Sequence, residues 1–296
     1  MTGARPPGDG RLVTGLAAGG SVRWAVVSMA GALEEARLRL DLSPLAAVAL
    51  GRALAAAVLI QRISLKVPSR LVVEVLGDGA LGKIVAEAEA GGGLRGLVGS
   101  PHLPQPAEGG MQIAEAIGRG LLRVTREREG RRYSSQVELL SGELADDVTH
   151  YLEQSEQIRS AVLLGVLPKP DGIAAAGGLV VEALPGSEET VVGRLESNIW
   201  TVEGVSAVLA RSGALALVDE VLEGLDPEPL DDLPVAYRCR CDRDGLRDRL
   251  RGLDEADLRE LLEPTGDCEA VCAFCGTTYR FIADELLGPG TAEAPG

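Results

Sequence analysis

YRCRC at residues 237–241 and CEAVCAFCG at residues 268–276 hold all five cysteines of a 296-residue chain. Cys239 and Cys241 make one close pair, Cys272 and Cys275 another. Two such pairs offer the four soft thiolates that tetrahedral zinc takes. Gly276 after the CxxC pair marks a knuckle, a turn tight enough to bring backbone N–H groups toward the sulfurs. The expected ligands are therefore Cys239, Cys241, Cys272 and Cys275, with Zn2+ as cofactor. An iron–sulfur cluster is the competing metal reading. A disulfide framework belongs to oxidising compartments, and a thioredoxin-like centre needs a βαβ context that the sequence around Cys272 lacks.

The segment carrying these cysteines, residues 237–287, is too short to fold readily without a metal or a crosslink. Structural zinc contributes about 10–16 kcal/mol to peptides of this kind, so loss of the metal is expected to unfold the module. Both phenylalanines of the chain, Phe274 and Phe281, fall here with Tyr237 and Tyr279, and they are expected to pack around the metal. Arg238, Arg240 and Arg243 can offset the surplus negative charge of four thiolates on one dication, or form a solvated charge run. Asp254 and Asp257 mark the start of a helix carrying Leu258, Leu261 and Leu262, expected to cover the knuckle.

Upstream, residues 185–236 read as helical segments with Val191, Leu195 and Ile199 on one stripe and Val205, Val208 and Leu209 on the next. Gly193, Gly204, Gly213 and Gly224 interrupt them, each costing a helix about 1 kcal/mol relative to alanine. Such a linker is marginal on its own. Asp226-Pro227-Glu228-Pro229 breaks the pattern.

Residues 1–184 mix helices with hairpin-forming strands. Ser43 and Pro44 give an N-cap and a first-turn proline for a helix over 43–62, apolar enough through Ile60 to suggest a membrane span but short for one and carrying Arg52 at its middle. It reads as a core helix. Strands are expected over 70–76, 83–89, 94–98, 121–126 and 133–139, a helix from Ser141 carrying Leu144, Val148, Tyr151 and Leu152, and a closing hairpin of 161–167 with 178–184. The class is α+β: an antiparallel-sheet N-terminal domain with helices (1–184), a metastable helical linker (185–236), a small C-terminal zinc-binding module (237–287) and a loose tail (288–296).

The balance of 29 basic against 44 acidic side chains gives a net charge of −15, which disfavours nucleic acid and anionic membranes as partners. The first twenty residues lack a secretory pattern, so a cytoplasmic location is expected. Gly77-Asp78-Gly79-Ala80-Leu81-Gly82 matches GxGxxG, but no crossover helix fits before Gly91, and a hairpin turn is the better reading. His102 and His150 read as surface residues, and Asp146 with Asp147 as a solvated helix face. No enzyme site emerges.

Several stretches together resemble the redox-regulated heat-shock-protein thirty-three family of holdases, from about Leu12 to Phe281. They are Glu35-Ala36-Arg37, Leu42-Ser43-Pro44, Leu50-Gly51-Arg52, the Gly77 to Gly82 turn, Ser141-Gly142-Glu143, Gln154-Ser155-Glu156-Gln157, Leu164-Gly165-Val166-Leu167, Ala176-Gly177-Gly178 and the CxC and CxxC pairs. The resemblance implies zinc on Cys239, Cys241, Cys272 and Cys275 in the reduced form. It implies disulfides Cys239–Cys241 and Cys272–Cys275 on oxidation, with metal release, linker unfolding, capture of unfolding client proteins and formation of a homodimer. Cys268 departs from the four-cysteine pattern, and its place among ligands and disulfides stays open. So do two other functions: an interaction module with a permanently structural zinc site, and a thiol oxidoreductase using Cys272 and Cys275.

Overall fold

A computed structural model describes residues 10–64, 67–104, 112–263 and 265–288. The chain separates into two compact units, Met1–Arg238 and Cys239–Gly296. The expected loose tail lies outside the described residues beyond Gly288.

The first unit runs β1 (Gly10–Ala17), β2 (Val22–Ser28), α1 (Ala30–Leu40), α2 (Pro44–Ile63), β3 (Arg70–Gly77), β4 (Lys83–Glu89), β5 (Gly93–Val98), α3 (Ile113–Ile117), β6 (Gly120–Arg128) and β7 (Arg131–Glu138). It continues with α4 (Leu144–Tyr151), β8 (Arg159–Lys169), β9 (Gly172–Ala183), α5 (Glu189–Thr201), α6 (Val205–Ser212), α7 (Ala214–Val221) and β10 (Glu228–Tyr237). The strands make one ten-stranded sheet in the order β7-β6-β3-β4-β5-β10-β1-β2-β9-β8. Every pairing is antiparallel except the short parallel one that joins Ala236 and Tyr237 of β10 to Gly93 and Leu94 of β5.

The sheet wraps α2, which touches β2, β3, β4, β5, β8 and β9. Ser43 caps this helix, accepting from the Ala46 N–H at 3.4 Å, and Pro44 opens it. Seventeen of its twenty residues are buried, so an all-round apolar sequence here makes a core helix. Although α2 is long and apolar enough to cross a membrane, 89% of its apolar window is buried inside the protein. Arg52 leaves the apolar surroundings by pairing with Glu143.

The GxGxxG stretch is the β3–β4 turn, as expected from its context. Gly79 sits where a side chain would strike the Ala116 carbonyl oxygen at 2.4 Å, so α3 packs directly on the turn's backbone. The adjacent carboxylates differ from expectation. Asp146 is exposed, but Asp147 is fully buried and its Oδ1 accepts the N–H groups of Leu140 (2.7 Å) and Ser141 (3.2 Å), which would otherwise be orphaned at the turn into α4. Burial raises its pKa. His102 is exposed and His150 half-buried.

Helices α5, α6 and α7 lie on one face of the sheet. Leu195, Val208, Leu217, Val218, Val221 and Leu222 pack against Val22, Trp24, Val26, Leu163, Leu179 and Val181 of the strands. Asn198 pins the segment by donating its side-chain amide to the carbonyls of Val221 and Glu223, both at 3.0 Å. The expected stripes are visible here, with Val191, Ile199 and Val205 at the margin of the same cluster. The helical expectation fails over 228–236, which form β10, paired with β1.

Candidate metal centre

The second unit contains α8 (Arg243–Leu250), α9 (Glu255–Leu262), β11 (Asp267–Val271), β12 (Thr278–Ile282) and α10 (Ala283–Leu287). Its apolar centre is small: Leu258, Leu262, Cys268, Phe281 and Leu286. β11 and β12 pair antiparallel, and the chain between them holds Cys272 and Cys275. The Cys275 and Gly276 N–H groups both donate to the Cys272 carbonyl, at 3.2 and 2.8 Å. Gly276 takes a φ of +68°, a left-handed conformation that glycine adopts without strain. The backbone at Phe274 favours the Cys272 thiolate and that at Thr277 the Cys275 thiolate, the sense expected of the knuckle.

Cys239 and Cys241 precede α8, whose N-cap Asp242 accepts the Gly245 N–H at 2.6 Å and so fixes the direction in which the CxC segment enters the helix. The sulfurs of Cys239, Cys241, Cys272 and Cys275 lie within 4.8 Å of one another, with Cys239 3.7 Å from Cys272 and Cys241 3.4 Å from Cys275. A tetrahedral zinc with sulfur at about 2.3 Å needs its ligands about 3.8 Å apart, so the four sulfurs fit that ion.

The clustered thiols also shift one another's ionisation. Burial pushes the Cys241 thiol up to about 12, with the neighbouring sulfurs adding to the effect. Burial also raises Cys275, but the Thr277 hydroxyl and N–H outweigh it and bring this thiol down to about 6. Thiols this close cannot all ionise unless a positive charge joins them. Two hydroxyls of β12 and its approach reach the sulfurs: Tyr279 Oη is 3.2 Å from Cys241, and Thr277 Oγ1 is 3.2 Å from Cys275.

Several sequence expectations fall differently. Tyr279 joins the sulfurs, but Phe281 lies in the apolar centre and Tyr237 ends β10 in the first unit, under the Arg39 guanidinium. Arg243 forms a two-pronged pair with Glu285 (2.8 and 3.0 Å) and lies over the Phe281 ring, so it braces α8 against α10. It also holds the Glu285 carboxyl down to about 2. Asp254 precedes α9 without a side-chain cap bond. Leu258 and Leu262 turn inward while Leu261 is exposed, and α9 packs against β11. Cys268 is buried opposite Phe281 and is not among the four clustered sulfurs. The Tyr279 and Thr277 contacts were not derivable from spacing.

Comparison with known proteins agrees along nearly the whole chain. The family model described as Hsp33 protein matches residues 10–282. The 33 kDa chaperonin of Thermus thermophilus is 40% identical over 291 residues, covering 94% of this chain and 85% of that protein. Its counterpart in Bacillus velezensis is 35% identical, covering 93% of this chain and 96% of that protein. The crystal structure of the 33 kDa chaperonin of Thermotoga maritima superposes with a TM-score of 0.88 at 33% identity, covering 94% of this chain and 96% of that one.

Proposed function

The chain belongs to the Hsp33 family, and from that premise we propose that it is a cytoplasmic, redox-regulated holdase with no enzymatic turnover. The observation that carries this reading is the seam beneath α5–α7. There Trp24, Val22, Val26, Leu179 and Val181 form an apolar sheet face covered by α5, α6 and α7, with breaks between them at Gly204 and Gly213. Uncovering it would expose a patch of the kind that binds other unfolding chains.

The sulfurs of Cys239, Cys241, Cys272 and Cys275 hold the metal, and bound zinc supplies the free energy that the small apolar centre lacks. Oxidation to Cys239–Cys241 and Cys272–Cys275 removes the thiolates that bind it. Residues 239–288 then unfold, the helical linker over 185–227 opens in turn, and the sheet face is exposed to clients. The opened face also serves a second activated copy, giving a homodimer. The net charge of −15 keeps nucleic acid and anionic membranes from competing for it.

The test is a zinc-release titration with peroxide at mild heat, run beside the aggregation of a thermally unfolding client. Release and protection should rise together. Protection without release, or release without protection, would replace this reading by that of an interaction module with a static zinc site. Turnover of a dithiol substrate by the zinc-bound protein would instead favour an oxidoreductase.

A further inference from the structure

One thiol of each cysteine pair carries a hydroxyl. Tyr279 Oη stands 3.2 Å from Cys241 Sγ and 3.4 Å from the Cys241 carbonyl oxygen, so the sulfur is the nearer acceptor for its single proton. Thr277 Oγ1 stands 3.2 Å from Cys275 Sγ, where a thiol donates and a thiolate accepts. Both residues are fixed by the β11–β12 hairpin: Thr277 through its carbonyl, which accepts from the Cys272 N–H at 2.9 Å, and Tyr279 through pairing with Ala270. The hydroxyls therefore face the sulfurs by construction of the strand.

We infer that the Tyr279 and Thr277 hydroxyls act as brakes on oxidation, donating to the Cys241 and Cys275 thiolates and setting how much peroxide the site withstands before it switches. The inference rests on the redox reading above. A sulfur lone pair engaged by a donor is less available to attack, and partners of this kind commonly change the behaviour of a metal-bound ligand about tenfold or more.

The reaction being slowed balances as follows. A thiolate sulfur attacks the O–O bond of hydrogen peroxide, keeps one oxygen as a sulfenic acid and expels the other as hydroxide. The paired thiolate then attacks that sulfur, forms the S–S bond and expels a second hydroxide, and solvent protons convert both hydroxides to water. The pair loses two electrons and the peroxide gains two. Tyr279 and Thr277 exchange no electrons and act as positioning residues.

The experiment uses the zinc-loaded full chain and its Tyr279→Phe and Thr277→Val variants. Zinc release under peroxide is followed with a chromogenic chelator, and each cysteine's oxidation by differential alkylation and mass spectrometry. Tyr279→Phe should keep one zinc and its melting temperature but release the metal about tenfold faster, with the early gain in oxidation at Cys241. Thr277→Val should shift the gain to Cys275. Release at the wild-type rate in both variants overturns the inference. So does faster release spread evenly over all four cysteines with a lowered melting temperature, because that marks a structural role. If the wild-type protein itself holds no zinc, or keeps it under peroxide, the redox reading fails first and the brake falls with it.

Discussion

Cys268 is the residue whose role the structure changes most. It lies opposite Phe281 across the β11–β12 pair, among Leu258, Leu262 and Leu286, and burial raises its pKa. In the folded unit it behaves as a small apolar side chain, and only unfolding lets its thiol meet the freed Cys272. Cys268→Ser should therefore keep the zinc and lower the stability of the second unit by about 1–3 kcal/mol, the cost of a poorly paired buried hydroxyl. After oxidation, peptide mapping should show a cleaner Cys239–Cys241 and Cys272–Cys275 pattern and faster recovery on reduction. Loss of zinc in this variant would make Cys268 a ligand. A wild-type map with Cys268 always free would make it inert. Cys272→Ser should behave oppositely: with one of four thiolates gone, the metal and its about 10–16 kcal/mol go too, residues 239–288 unfold, and the first unit keeps its structure. Metal analysis with circular dichroism checks this, and uniform loss of structure would contradict independence of the two units.

At the scale of elements, two glycines of the linker predict opposite outcomes. Gly204 looks like a weak point in a helix, but it takes φ +73° as the N-cap of α6, so Gly204→Ala strains the backbone and should loosen the segment. Gly193 lies inside α5 with nothing near the position of an added Cβ, so Gly193→Ala should tighten the linker by about 1 kcal/mol and raise the oxidation or heat needed for activation about fivefold. Unchanged activation in a measurably stabilised Gly193→Ala protein would place client binding elsewhere. Leu217→Ala, at a fully buried contact with the sheet, should cost about 2–5 kcal/mol and give holdase activity without oxidant. These elements also mark what a sequence reveals. The β3–β4 hairpin, β6 and the linker stripes were legible because one-sided burial or clear turn chemistry leaves a trace, and α2 because Ser43 and Pro44 mark the start of a long apolar run. β1, β2 and α1 were not placed: Trp24 to Val27 is buried throughout, so no alternation survives. Residues 228–236 misled because Pro227 and Pro229 read as breakers, and Pro229 and Pro234 both fall within β10. Each sits where β10 pairs with β1 on one side and has not yet met β5 on the other, so a missing N–H is tolerated. That Cys239, Cys241, Cys272 and Cys275 come together was legible from the CxC and CxxC spacing, whereas the Tyr279 contact depends on the register of a five-residue strand.

For the whole molecule, apolar burial is graded, and under the proposed redox mechanism that grading sets the order of opening. The wrapped sheet and α2 form a large apolar interior, α5–α7 add a thinner layer on its outer face, and the second unit has an apolar cluster of five buried residues and the four clustered sulfurs to hold it. Local opening free energies follow the density of such contacts. Amide hydrogen exchange, read by mass spectrometry during peroxide treatment at mild heat, should therefore lose protection in a fixed order. Peptides from 239–288 should open as zinc leaves, peptides from 189–221 next, and those of α2, β3, β4 and β9 last or never. Client protection should track the second event, because that step uncovers Trp24, Leu179 and Val181. Holdase activity appearing while 189–221 stay protected would detach client binding from this face. Loss of protection in 44–63 at the same moment would show that the whole first unit unfolds, and the graded switch would have to be abandoned.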